Sequence, residues 1–181
     1  MNYPETFLKC LVVILKHEGG YVNDTDDLGG ETYRGVARKL HPTWLGWKVI
    51  DRVKHFRVLK RGSYINDTAL DEQITAFYYQ HFYTPMKLEH LDCDEAILEL
   101  FDFGVNAGPQ RAIIKAQGIL HVVDDGIMGP ITIAAINNYP GDFVKDYKHV
   151  RRLYYENIAH RRPQNKKFLK GWLNRVENTH F

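Results

Sequence analysis

The feature that most narrows the folds open to this chain is a succession of helix-opening signals from residue 67 onward. Asp67-Thr68 precedes an apolar-periodic run through Phe82, and Asp92 with Glu95 three residues later has the spacing of a capping box before Ala96–Val105. Pro109 and Pro130 each stand where proline suits the first turn of a helix, because its missing N–H has no partner there anyway. Asp142 heads a run through Ile158, and Pro163 precedes one that holds Phe168, Leu169, Trp172 and Val176. At the other end, Phe7, Leu8, Leu11, Val12, Ile14 and Leu15 fall on one broad helical face, and Gly19-Gly20 stops the pattern, so a helix is expected over 5–18. Tyr21 to Val36, rich in Gly, Asn and Asp, predicts turns and a short irregular hairpin. Trp44 to Asn66 is aromatic and basic without periodicity and is the least readable part. The fold class expected is mainly α (α+β), a helical bundle with one small β-hairpin. The clearest break, near 90–95, divides the chain into residues 1–92 and 93–181.

The 181 residues, 44% hydrophobic and 25% charged, are enough to bury a core without disulfide or metal staples. A net charge of +2 does not make nucleic acid a default partner, since phosphate binding relies on clustered basic surface. Cys10 and Cys93 lie in no CxxC or CxxH spacing and are expected as free thiols. The longest apolar stretch near the start, Leu11 to Leu15, lies between Lys9 and Lys16 and is too short for a signal-peptide core or a membrane span. The expectation is a monomer made in the cytoplasm without stable membrane insertion. A substrate beyond the membrane would then be reached through a holin or a secretion system.

Several chemistries lack their residues. The lone serine, Ser63, sits in Gly62-Ser63-Tyr64, which is no GxSxG nucleophile elbow. Cys10 lies in the apolar helix and Cys93 between two aspartates, settings that raise a thiol's pKa and so disfavour a thiolate nucleophile. His17-Glu18 begins like the zinc motif HExxH, but position 21 is Tyr. Asp24, Asp26 and Asp27 hint at a calcium loop whose closing acid is replaced by Gly35. No P-loop or dinucleotide fingerprint occurs, and no metal or organic cofactor is expected.

What remains is a pair of carboxyl groups in different settings, the requirement of glycoside hydrolysis. Glu18 ends an apolar helix, where unpaired carbonyls and the negative end of the dipole disfavour the charged form, as a proton donor requires. Asp27 follows in a polar, glycine-flanked loop that keeps a carboxylate charged. A glutamate before Gly-Gly is also an ordinary solvated helix end, and aspartates in a cluster are also an ordinary turn. Among the other polar and aromatic residues, Asp102 and Asn106 lie four apart on one helical face, suited either to a sugar or to a network stapling helices. Asp125-Gly126 with Gly129-Pro130 reads as a tight turn feeding a helix. Trp44 and Trp47, in a segment without periodicity, are the expected cleft-wall pair, while Trp172 reads as core. Tyr21, directly after the helix end, is expected to pack over Glu18 and shield it from water.

The segments His17-Glu18-Gly19-Gly20-Tyr21-Val22-Asn23-Asp24, Asp27-Leu28-Gly29-Gly30-Glu31-Thr32 and Gly35-Val36 resemble the opening motif of the glycoside hydrolase family 108 lysozymes. That family comprises phage endolysins and related bacterial N-acetylmuramidases, some described as secretion activator proteins. Phe101-Asp102-Phe103-Gly104-Val105-Asn106-Ala107-Gly108, Arg111-Ala112, Gln117, Asp125-Gly126-Ile127-Met128-Gly129-Pro130 and Thr132 resemble the peptidoglycan-binding region that follows. Phe168-Leu169-Lys170-Gly171-Trp172-Arg175 resembles its closing helix. The resemblance implies a lysozyme-like catalytic region and a helical peptidoglycan-binding region. It further implies hydrolysis of the β-1,4 bond between N-acetylmuramic acid and N-acetylglucosamine, with peptidoglycan glycan strands as the partner. It makes Glu18 the general acid, Asp27 the second carboxylate and Thr32 a candidate to hold the water. Leu28 stands where many relatives have Pro, and Ala37 where Ser or Thr is common. A lytic transglycosylase, which needs only one acid, and a non-catalytic wall-binding or secretion-associated protein of the same fold are the competing readings.

Overall fold

Pro4 leads into α1 (Glu5–His17), whose core face is Phe7, Cys10, Leu11 and Ile14, spaced three and four apart as a helix in contact with a core requires. The computed structural model describes residues 2–23 and 30–181. The expected face was too broad: Leu8 and Val12 are exposed, and Cys10 and Val13 take their place in the core. The helix ends at His17, one residue short of expectation, although the Glu18 N–H still reaches the Ile14 carbonyl at 3.3 Å.

Contacts divide the chain into two compact units, Ile14–Tyr79 and a second made of Met1–Val13 with Gln80–Phe181. In the first, β1 (Tyr21–Asn23), β2 (Glu31–Tyr33) and β3 (Val36–Ala37) form an antiparallel sheet in that order, a three-stranded version of the expected hairpin. The register pairs Tyr21 with Tyr33, Val22 with Thr32, Thr32 with Ala37 and Tyr33 with Val36. Tyr21, Tyr33 and Val36 are buried on it. Two helices complete this unit, α2 (Gly46–Phe56) and α3 (Thr68–Tyr78). The second lies in the predicted place, its Asp67 accepting the Leu70 N–H at 2.9 Å, and runs on into a π-helical turn at Tyr79–Tyr83. The first fills part of the segment that carried no readable periodicity.

In the C-terminal unit, α4 (Asp94–Ala107) is buried continuously from Ala96 to Gly104. Around it stand α5 (Pro109–Leu120), α6 (Pro130–Asn137), α7 (Phe143–Arg161) and α8 (Lys166–Asn178), with short 3₁₀ turns at Leu88–His90 and Pro163–Asn165. Pro109 and Pro130 open their helices as predicted, and the Asp142 side chain caps α7 by accepting the Lys145 N–H at 3.0 Å. The capping box expected at Asp92 and Glu95 is absent. Cys93 holds the cap position with no side-chain bond to the helix N–H groups, and the Asp92 N–H is instead donated to Asn137 at 3.2 Å. The predicted turn at Asp125-Gly126 is clasped by Gln117, whose amide nitrogen donates to Asp125 at 2.8 Å and whose oxygen accepts the Gly126 N–H at 2.9 Å.

The break between units falls at Tyr79–Gln80, upstream of the one read from the sequence. The segment after it packs inside the C-terminal unit, where Tyr83, Met86, Leu88 and Leu91 are buried and Tyr83 meets Phe7 and Phe101 edge-on at 5.0 and 5.6 Å. Among the described residues no helix is long and apolar enough to cross a membrane.

Candidate active site

Why the chain turns where it does after α1 is a matter of close backbone approach. A Cβ on Gly20 would fall 2.6 Å from the Ser63 carbonyl oxygen, so only glycine lets the two strands of main chain meet. The contact is continued by the Tyr21 N–H, donated to Ser63 at 2.9 Å, and by the Gly62 N–H, donated to Tyr21 at 2.8 Å. Glu18, just past the end of α1, is half-buried.

Its carboxylate lies against the turn joining β2 to β3. Arg34 (φ 44°) and Gly35 (φ 79°) occupy the two central positions, both left-handed, as two-residue hairpins prefer because that geometry matches strand twist. A Cβ on Gly35 would come within 2.4 Å of the Tyr78 hydroxyl and 2.9 Å of Glu18 Oε2, so both oxygens flank the same point of bare backbone. Tyr78 is buried and donates its hydroxyl proton to the Arg34 carbonyl at 2.8 Å. The acid, the phenol and the turn thus converge. Tyr78 was not singled out in the sequence, because within an apolar-periodic run it reads as core.

Asp27 lies outside the described residues. Thr32 is half-buried on β2, with Val22 and Ala37 as its cross-strand partners, so its hydroxyl stands beside the position where relatives are expected to carry one. Tyr21 is buried, but its hydroxyl is donated to Glu31 at 2.8 Å instead of serving Glu18, and burial together with that carboxylate pushes its pKa up. Glu31 anchors an ion cluster that fixes the sheet to α2: Lys54 at 2.8 Å, and Arg38 at 2.6 Å, whose fork also grips Asp51 with bonds of 3.0 and 2.5 Å. Burial opposes the charge on Glu31, but the bonds from Lys54 and Tyr21 and the Arg38 charge outweigh it and hold its carboxyl below the usual range.

The expected tryptophan wall is corrected at Trp47. Trp47 is buried, donates its indole N–H to the His41 carbonyl at 2.8 Å and lies under the Arg38 guanidinium at 4.4 Å. Trp44 meets it edge-on at 5.1 Å, folds over Gly46 and donates to the Gln73 carbonyl at 3.2 Å, keeping only part of its ring exposed. Packing accounts for Trp47.

Asp102 is also corrected as a sugar contact, since it has no exposed surface. It is bonded to Arg151 at 2.5 Å and to Arg175 at 2.9 Å, and it accepts from Thr179 at 3.3 Å. Glu99 shares Arg151 and lies 3.3 Å from Lys148. Burial pushes the Glu99 carboxyl up, whereas at Asp102 the two arginines overcome burial and hold it down. Asn106 alone of that pair reaches the surface. It accepts the Tyr155 hydroxyl at 2.6 Å and lines a pocket of about 270 Å³ together with Trp172, which stacks on Tyr155 at 5.2 Å. Among the described residues no three His, Cys, Asp or Glu side chains converge as a metal site requires.

A family model described as glycosyl hydrolase 108 matches residues 11–108, more than half of the chain and all of the Glu18, Gly35 and Tyr78 cluster. This chain belongs to the glycosyl hydrolase 108 family. A second model, described as a predicted peptidoglycan domain, matches residues 107–177, which in this family 108 chain covers α5 to α8. Among solved structures, SagA of Brucella abortus is similar in fold, with 22% identity, a TM-score of 0.69 and coverage of 96% of this chain and 91% of that one. No curated protein matches the sequence. Family 108 membership makes this protein a glycoside hydrolase by family.

Proposed function

We propose that this protein is an N-acetylmuramidase that hydrolyses the β-1,4 bond between N-acetylmuramic acid and N-acetylglucosamine in peptidoglycan. The observation that carries the reading is the seat of Glu18, a half-buried carboxyl at a helix end pressed against the backbone of Gly35 beside the anchored Tyr78 hydroxyl. A half-buried carboxyl held beside fixed backbone suits a group that delivers a proton to a leaving oxygen. Glu18 protonates the glycosidic oxygen as the bond breaks, and the sugar passes through an oxocarbenium-like state. Asp27 offsets that charge or takes a proton from the attacking water, and Thr32 helps to hold the water. Where Asp27 takes the water's proton it passes it to solvent and Glu18 is reprotonated from solvent; where Asp27 only offsets the charge, the Glu18 carboxylate takes the water's proton itself. Tyr78 positions the acid and does no chemistry. Support for peptidoglycan as the substrate comes from the two family models, which together run from Leu11 to Glu177.

The test is digestion of purified sacculi by the wild type and by Glu18→Gln, with soluble fragments reduced by borohydride and weighed by mass spectrometry. Reducible muramic ends are expected, falling by about 10²- to 10⁴-fold in the variant. Anhydro ends would replace this reading by transglycosylation. A folded, wall-binding wild type that releases nothing would leave a binding protein.

A further inference from the structure

A groove of about 710 Å³ lies in the C-terminal unit, lined by α5, α7 and the residue that follows α7, and none of its lining residues belongs to the unit that holds Glu18. Four cations line it, Arg111 and Lys115 from α5 and Arg161 and Arg162 from the end of α7, with no aspartate or glutamate among the lining residues. None of the four is ion-paired to a described carboxylate. Composition does not account for this, because elsewhere in the same unit Arg151 and Arg175 are held by Glu99 and Asp102, and Arg152 by Glu177. The Arg111 guanidinium rests 5.6 Å over the Tyr154 ring, which keeps it at the wall. Aliphatic side chains such as Ile114 and Ile158 complete the lining.

A concave site of this size, with like charges left open over an apolar lining, takes a small ligand that carries several anionic groups and aliphatic carbon. Peptidoglycan supplies such a ligand in only one of its parts. Its glycan is neutral, because the lactyl carboxyl of muramic acid is consumed in the amide to the peptide, so the negative charge resides on the free carboxylates of the stem peptide. Alanine methyls and the methylene chains of the acidic residues match the aliphatic lining, which a polyol phosphate would leave unused. We infer that the groove formed by Arg111, Lys115, Arg161 and Arg162 binds the carboxylate-bearing stem peptide of peptidoglycan. This inference rests on the peptidoglycan reading above and assigns the peptide, not the sugar, to this groove. The adjoining pocket with Asn106 and Trp172 shares Tyr154, Ile158 and Arg162 with the groove and offers an amide and an indole to the sugar at which the peptide begins.

The test titrates the full chain with three probes: a free stem tetrapeptide with its carboxylates unamidated, the peptide-free disaccharide, and a glycerol-phosphate oligomer. It compares the wild type with R111Q/K115Q/R161Q/R162Q and with a charge-matched control, K48Q/R52Q/K60Q/K145Q. The tetrapeptide is expected to bind the wild type and the control alike, to weaken at least tenfold in the groove variant, and to weaken with added salt. NMR shifts induced by the tetrapeptide in the wild type are expected on α5 and the end of α7, a readout independent of whether the fourfold variant folds. Equal tetrapeptide binding by groove variant and wild type overturns the inference, as do shifts confined to other helices or tighter, groove-dependent binding of the phosphate oligomer. A wild type that binds and cuts intact sacculi but ignores the tetrapeptide overturns the groove assignment alone. One that neither binds nor cuts sacculi overturns the peptidoglycan reading with it.

Discussion

Glu31, Arg38, Asp51 and Lys54 in the N-terminal unit keep 12 to 48% of their side-chain surface, whereas Glu99, Asp102 and Arg151 in the C-terminal unit keep at most 1%. The same pairing of carboxylates with arginine therefore does different work in each. At the surface, water screens every charge, and the cluster serves mainly to aim the sheet against α2. In the dry cluster each charge is tolerable only because its partner is there, so α4, α7 and α8 are locked into one arrangement at the risk of a large loss if any member goes.

Removing one partner tests the contrast most strongly. Arg151→Met takes the shared cation from two buried acids, leaving Glu99 with Lys148 and Asp102 with Arg175 and Thr179, and is expected to cost about 3–5 kcal/mol in denaturant unfolding. A loss under about 1 kcal/mol would show that water reaches the cluster and would erase the distinction.

Gly35→Ala probes the N-terminal unit where it is rigid. The positive φ alone makes an L side chain cost roughly 1–2 kcal/mol, and the new methyl must displace Tyr78 or Glu18. Turnover of peptidoglycan is expected to fall by about 10²-fold, since an ångström of misplacement has that effect on a positioned acid. A stable, fully active Gly35→Ala would mean that the seat of the carboxyl is not what sets the rate.

Acid separates the two buried carboxyls by sign. Asp102 is held below its ordinary value, so its contribution is present above the usual aspartate pKa, about 3.9, and disappears as pH falls through the folded value. Glu99 is held above its ordinary value, so it takes up its proton earlier and resists unfolding by acid. Melting temperatures from pH 7 to 2.5 should fall most steeply below pH about 4, and Asp102→Asn, though less stable throughout, should lose that acid-dependent part. An unchanged slope in the variant would assign the acid sensitivity elsewhere.

The smallest effect belongs to the wet cluster. Arg38→Met should cost about 0–1 kcal/mol, and less as salt is added, because these charges are screened. A salt-independent loss of several kcal/mol would show that the Arg38 stack on Trp47, not its charge, holds the unit together.

Local chemistry explains what was readable in the sequence. Asp67, Pro109, Pro130 and Asp142 act on neighbouring N–H groups or on their own backbone, and each opens its helix as expected. The helix α2 has no such mark, for Leu45 precedes it without a side-chain cap and its buried Trp47 is fixed by Arg38 from β3's flank. Asp102 and Asn106 were correctly placed on one helix, but Arg151, 49 residues away, decides that Asp102 is structural. Around Glu18 the glycine turn was visible as a motif, while Tyr78 reaches Arg34 across 44 residues and leaves no local trace.

The seat of Glu18 also sets a rule of handedness. What bounds the carboxyl is a missing methyl group at Gly35, on the one side of the backbone where an L residue would put it. A D-alanine introduced there by chemical synthesis has the φ the turn requires and points its methyl away from Glu18 and Tyr78. The position therefore discriminates by chirality more than by size, favouring D-alanine over its L counterpart.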